Sequence, residues 1–265
     1  MTPFPALRRT AYPAALHGST AQPSVATAQS AAETSYSIPQ DRIGGLADFV
    51  DGVMAQQIAT REVAGAIVTV VYRDKVLFSR GYGFADIDKG VAVDGQQTLF
   101  RPGSVSKMFT WSALLQQVEA GRVDLDADVN KYLDFKIPEF EGKPIRVRDL
   151  LSHTPGMSDV GGLTAPTPDK ITPYVEWMKT HIPVRHWAPG TETSYSNYGS
   201  VLAGYIVERV SGEAFPDYVE KHIFAPLGMN ATTFREPLPA ALAPRMASGY
   251  QVKDGRLVAE PYELF

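Results

Sequence analysis

The sequence predicts an α+β domain, helix-rich and carrying a small antiparallel sheet, on three observations. A β-branched run, Ala66-Ile-Val-Thr-Val-Val-Tyr72, is followed by a turn and a second extended stretch, Val76-Leu-Phe78. Two later segments change to the helical period: Met108, Trp111, Leu115 and Val118 after Ser104, and Leu202, Tyr205, Ile206 and Val210 after Tyr198. The 265 residues, 44% of them hydrophobic and 20% charged, suit one globular domain with one sizeable core.

Ordered sequence is expected from about residue 39, giving a domain over 39–265. Ile43, Leu46, Phe49, Val50 and Val53 then recur at helical spacing. The hairpin comes next, turning at Arg73-Asp74-Lys75 and closed by the glycines at 81 and 83. The helix from Ser104 stops at Gly121-Arg122, the helix from Tyr198 is capped by Gly212, and a third helix runs near Phe215 to Ile223. Between them, Gly161 to Pro173 and Trp187 to Gly190 read as surface or cleft-lining loops.

Residues 1–38 form a separate leader. Its first 32 residues hold Arg8 and Arg9 but no acid, and Ala26-Thr27-Ala28 has the small residues of a cleavage site. Its apolar stretch is broken by Pro13, so the segment is either a degraded secretory signal or a plain disordered leader. A signal places the protein in the periplasm or outside the cell; a plain leader leaves it in the cytoplasm.

Composition excludes several function classes. A balance of 25 basic against 29 acidic side chains, net −4, provides no electrostatic footprint for nucleic acid. No run approaches the roughly 18 apolar residues of a membrane span. With no cysteine, thiolate nucleophiles and cysteine zinc sites are absent. His181 and His186 are five apart, the wrong spacing for neighbouring ligands on a helix, so neither metal nor other cofactor is expected. The expected partner is a small-molecule or peptide substrate, with the oligomeric state open.

Pro102-Gly-Ser104-Val-Ser-Lys107 sets a serine and a lysine at i and i+3 at the start of a helix, where both side chains share one face. A serine hydroxyl becomes a useful nucleophile when a neighbouring base takes its proton. Alone the pair is a weak signal, because a helix start favours serine as a cap. Tyr195-Ser196-Asn197, in a loop entering the second long helix, adds to it: a phenol beside an ammonium ionises more easily, and an amide can bond both the lysine and a substrate carbonyl.

These two motifs, together with Leu150-Leu-Ser-His153-Thr-Pro-Gly-Met157, Trp187-Ala-Pro-Gly190 and Pro226-Leu-Gly-Met229, stand in an order and spacing that resembles the class C β-lactamase and DD-peptidase-like serine hydrolases from about Asp41 to Tyr250. The resemblance implies a β-lactamase/transpeptidase-like fold, an α/β sandwich in which a helical region packs on an antiparallel sheet. It implies Ser104 as acylated nucleophile, Lys107 and Tyr195 as the proton-handling pair and Asn197 as a substrate-orienting amide, with His153 in a structural turn outside this set. No Gly-x-Ser-x-Gly motif points to the α/β-hydrolases instead.

The third motif of that family, Lys-Thr-Gly or His-x-Gly on a late cleft strand, is not found. Lys253-Asp-Gly255 has the end residues but reads as a hairpin turn. The expectation is therefore a chain cut short, with later sheet strands missing, an exposed sheet edge and weak turnover. Two readings stay open: a hydrolase of β-lactams, amides or esters, or a module that β-lactams acylate without release, or that binds without reacting.

Overall fold

The computed structural model describes residues 43–161, 164–261 and 264; the leader at residues 1–38 lies outside them. In chain order the elements are α1 (Leu46–Ala59), β1 (Gly65–Tyr72), β2 (Lys75–Asp86), β3 (Val91–Ala92), α2 (Lys107–Glu119), α3 (Val147–Leu151), α4 (Tyr174–Thr180), α5 (Asn197–Ser211), α6 (Phe215–Val219), β4 (Gly249–Lys253) and β5 (Arg256–Glu260). The fold is the expected α+β mixture.

β1 and β2 form an antiparallel hairpin in which Tyr72 faces Lys75 across the two-residue turn Arg73-Asp74. Both turn residues have positive φ, 48° and 62°, the twist a two-residue hairpin turn demands. The expected stop at Gly81 and Gly83 is wrong, because β2 continues through both to Asp86 and pairs there with β3. Gly83 marks a close approach instead: at φ 67°, a Cβ on it would lie 2.3 Å from the carbonyl oxygen of Ala64. Among the described residues the sheets are β1-β2-β3 and the separate hairpin β4-β5. Asp254 and Gly255 turn the latter with φ of 51° and 70°, so Lys253-Asp-Gly255 is the hairpin turn that the sequence predicts.

The core gathers around α5. Tyr198, Leu202, Ala203, Ile206 and Val207 are fully buried there, and the helix ends at Gly212 in the left-handed conformation. The predicted face Leu202, Tyr205, Ile206 and Val210 does turn inward, but apolar residues on its other sides are covered too. α2 packs along α5, with α3, α4 and α6 around them.

The predicted inner faces of α1 and α2 need correction. On α2 the buried residues are Thr110, Ala113, Leu114 and Gln117, whereas Met108 and Leu115 are 52% and 46% exposed. Residues 107, 110, 114 and 117 lie on one helical stripe, so the side that carries Lys107 is the side turned toward α5. On α1, Met54 is buried while Phe49 is 67% exposed, and Asp51 ties the helix to β2 by accepting from Tyr82 Oη at 2.6 Å and pairing with Arg80. The third helix divides into α6 and a wider π-type turn over Glu220–Phe224. α3 and α4, short and without long apolar periodicity, escaped the sequence reading.

Candidate active site

Ser104 sits in a 3₁₀ turn, Gly103–Ser106, ahead of α2, rather than in the first α-helical turn as expected; Lys107 is the first residue of α2. In a 3₁₀ turn, side chains at i and i+3 eclipse each other. Lys107 Nζ accordingly reaches back and donates to Ser104 Oγ at 3.0 Å. Ser104 is exposed while the lysine is half-buried, an arrangement that opens the hydroxyl to a ligand and keeps its partner sheltered.

The second motif enters at the start of α5. Buried Ser196 caps that helix, its hydroxyl accepting the Gly199 N–H at 2.9 Å. This places Asn197 in the first turn, where its Oδ1 accepts from Lys107 Nζ at 2.8 Å, 90 residues away in the chain. Lys107 thus joins Ser104 and Asn197. Its Nζ also lies 4.9 Å from the centroid of the Tyr195 ring, within the range of cation–π attraction.

Burial pushes the Tyr195 phenol up, but hydrogen bonds with Lys107 and Ser104 and the charge of Lys107 outweigh it, holding its pKa below the ordinary value. All four predicted site residues, Ser104, Lys107, Tyr195 and Asn197, therefore meet in one cluster. The cluster offers a hydroxyl, a lysine nitrogen touching it, and a phenol biased toward ionisation, groups through which a proton can be removed from a serine.

Two further residues were missed or undervalued. Asp159 accepts from the Asn197 backbone N–H at 3.0 Å and from its side-chain Nδ2 at 2.8 Å. A carboxylate at the N-terminus of α5 also suits the helix dipole. No spacing rule singles it out among 29 acidic residues. His153 does occupy a turn, with φ 54°, and its ring also packs against Tyr195 with centroids 4.3 Å apart. Three residues on, Gly156 has φ 73°, and a Cβ there would meet the Trp187 carbonyl oxygen at 2.1 Å. This close crossing brings the loop of Trp187 to Gly190 beside residues 153–159. Buried Met157 takes a hydrogen bond from Ser194 Oγ on its carbonyl at 2.9 Å.

Neither histidine of the 181/186 pair joins the cluster through a ring contact. His181 stacks on Trp177 at 5.2 Å, and His186 lies beside Trp187. Among the described residues, no three histidine or acidic side chains gather as metal ligands, and no helix is long and apolar enough to cross a membrane.

Comparison with known proteins identifies the family and the fold. The beta-lactamase family model matches residues 50–264. The chain is 31% identical over 231 residues to a beta-lactamase of Escherichia coli (strain K12), covering 81% of this chain and 56% of that protein. Among solved structures, the D-amino acid amidase of Ochrobactrum anthropi SV3 superposes with a TM-score of 0.66 at 29% identity, over 79% of this chain and 57% of the amidase. The octameric penicillin-binding protein homologue of Pyrococcus abyssi gives 0.67 at 26%, over 84% and 51%. The chain spans about half the length of these proteins.

Proposed function

Because the chain belongs to the beta-lactamase family, we propose that it is a serine hydrolase that transfers an acyl group from a β-lactam, amide or ester to Ser104 and then releases it to water. The observation that carries this reading is the position of Lys107 Nζ, 3.0 Å from Ser104 Oγ and 2.8 Å from Asn197 Oδ1. In the proposed sequence Ser104 Oγ attacks the substrate carbonyl as its proton passes to the Lys107–Tyr195 pair. The tetrahedral adduct then collapses, the departing nitrogen or oxygen takes up a proton, and an ester on Ser104 remains. Water attacks that ester, and the proton it loses returns to Ser104 as the acyl group departs. Asn197 orients the substrate with the N–H of Nδ2 that Asp159 leaves free.

Substrate class follows the relatives: one is a beta-lactamase and another a D-amino acid amidase. The acid-free leader with Arg8, Arg9 and Ala26-Thr-Ala28 supports export to the periplasm or medium, and cell fractionation with N-terminal sequencing of the recovered protein tests that. For the activity, the full chain is incubated with a fluorescent penicillin, a p-nitrophenyl ester and a D-amino acid amide, and its intact mass is followed. A transient adduct lost in Ser104→Ala supports the hydrolase. A permanent one supports the acylated module instead, and no adduct or turnover with any of the three overturns the reading.

A further inference from the structure

His153 touches the Tyr195 turn at three points. Its backbone, at φ 54°, is in the left-handed region that histidine enters more readily than branched residues. From there its carbonyl accepts the Ser194 N–H at 2.8 Å, and its ring Nδ1 accepts the Ser196 N–H at 3.3 Å. The residues on either side of Tyr195 are thereby pinned to one residue. Between the two bonds the imidazole lies against the phenol ring, centroids 4.3 Å apart and planes 28° apart. On another side Trp111 of α2 meets the imidazole edge to face, at 5.4 Å and 89°. The helix that brings Lys107 and the turn that brings Tyr195 are thus both registered on the same ring.

We propose that His153 is a positioning residue for acyl transfer: its neutral imidazole seats the Tyr195 ring so that the phenol oxygen faces Ser104 and Lys107. The inference rests on the serine-hydrolase reading and extends it to a residue that handles no proton in the reaction. Neutrality follows from geometry. An Nδ1 that accepts from Ser196 carries no hydrogen, so the ring proton is on Nε2. A second proton would set Nδ1–H against the Ser196 N–H and put a cation beside Lys107. Among the charged and titratable groups facing the ring, Lys107 on α2 opposes protonation, Asp159 on the same loop favours it, and Tyr195 stacks on it. Burial comes first and the Lys107 charge second in holding the imidazole below its usual pKa.

The test is the rate at which a fluorophosphonate phosphonylates Ser104 in the full chain, read by intact mass across pH; Ser104 Oγ bonds to phosphorus as fluoride leaves and the Oγ proton passes to the base. His153→Asn suits the left-handed backbone and keeps an acceptor oxygen, but it removes the stacked ring. It should react about 10- to 100-fold more slowly than wild type, the scale of a displaced catalytic group, with an unchanged melting temperature. His153→Phe keeps a ring and cannot be protonated. Its rate relative to wild type should stay level above the ordinary imidazole value of 6.5 and rise as pH falls below it, as the wild-type imidazole gains its proton. Equal rates for wild type and His153→Asn overturn the inference. If His153→Asn fails to fold, a flat ratio for His153→Phe overturns it instead. Absence of wild-type phosphonylation overturns the serine-hydrolase reading itself, and this inference falls with it.

Discussion

The carboxylate of Asp159 holds Asn197 at two points, accepting its backbone N–H at 3.0 Å and its side-chain Nδ2 at 2.8 Å. With Nδ2 drawn to Asp159, the opposite end of the amide, Oδ1, is the end that meets Lys107. A charged group two residues past the loop's buried Met157 therefore decides which way the amide faces. Hydrogen bonds to charged groups contribute about 1.5–3 kcal/mol, so Asp159→Ala is expected to slow phosphonylation of Ser104 about 10-fold or more. Asn197→Ala should do the same, and the double variant should be little worse than either single one, since the two act as a unit.

The phenol of Tyr195 should be visible in a titration. Its pKa lies below the ordinary tyrosine value, burial being outweighed by Lys107 and Ser104. The phenolate absorbance of wild type is expected to contain a component that rises below the range of ordinary tyrosines, and Tyr195→Phe should lack it. Lys107→Met should move that component upward, because it removes the hydrogen bond and the positive charge together. An unchanged titration in Tyr195→Phe would contradict the assignment.

The register of α2 is open to a stability measurement. Leu114 is fully buried whereas its neighbour Leu115 is 46% exposed. Leu114→Ala should cost about 2–5 kcal/mol by urea unfolding, and Leu115→Ala no more than about 0.5 kcal/mol. The reverse order would restore the face that periodicity alone predicts.

Acid should weaken one identified cluster. Arg235, by hydrogen bonding first, holds the Glu220 carboxyl below its ordinary value of 4.5; burial opposes this and Thr233 assists it. The distances are 2.8 Å to Arg235 Nη2 and 2.7 Å to Thr233 Oγ1. A carboxylate with a depressed folded-state pKa adds stability that is present above the unfolded value and is lost as pH falls through the folded one. Arg235→Gln should therefore lower the melting temperature near neutral pH, and its deficit relative to wild type should shrink as pH drops below about 4.5. A deficit independent of pH would show that Arg235 acts through packing alone.

Much of the site was legible because its two halves are local. Ser104 and Lys107 needed an i, i+3 spacing at a helix start, and Tyr195 and Asn197 needed a turn entering a capped helix; each is written within a few residues. Asp159 and His153 were not legible in that way. Their partners lie 38 residues on for Asp159 and 43 on for the His153 Nδ1 bond, and neither residue type nor spacing announces such a pairing. Gly81 and Gly83 misled for the opposite reason. A glycine pair reads locally as a stop, yet their small size serves a close crossing of backbones, which is a property of neighbouring strands.

By itself, then, the sequence determined the hairpin through β-branched residues around Arg73-Asp74, the longer helices through their period and caps, and two local motifs, Ser104 with Lys107 and Tyr195 with Asn197, which the family resemblance joined into one site. Those features rest on steric and hydrogen-bond preferences that act over less than two helical turns. Tertiary structure alone decided which stripe of α2 is buried, which way the Asn197 amide faces and what supports Tyr195. Each of these depends on docking α2 and the loop after α3 against the start of α5, where burial of Leu114 and Met157 and the pairing of Asp159 with Asn197 choose one arrangement among several that the local pattern allows.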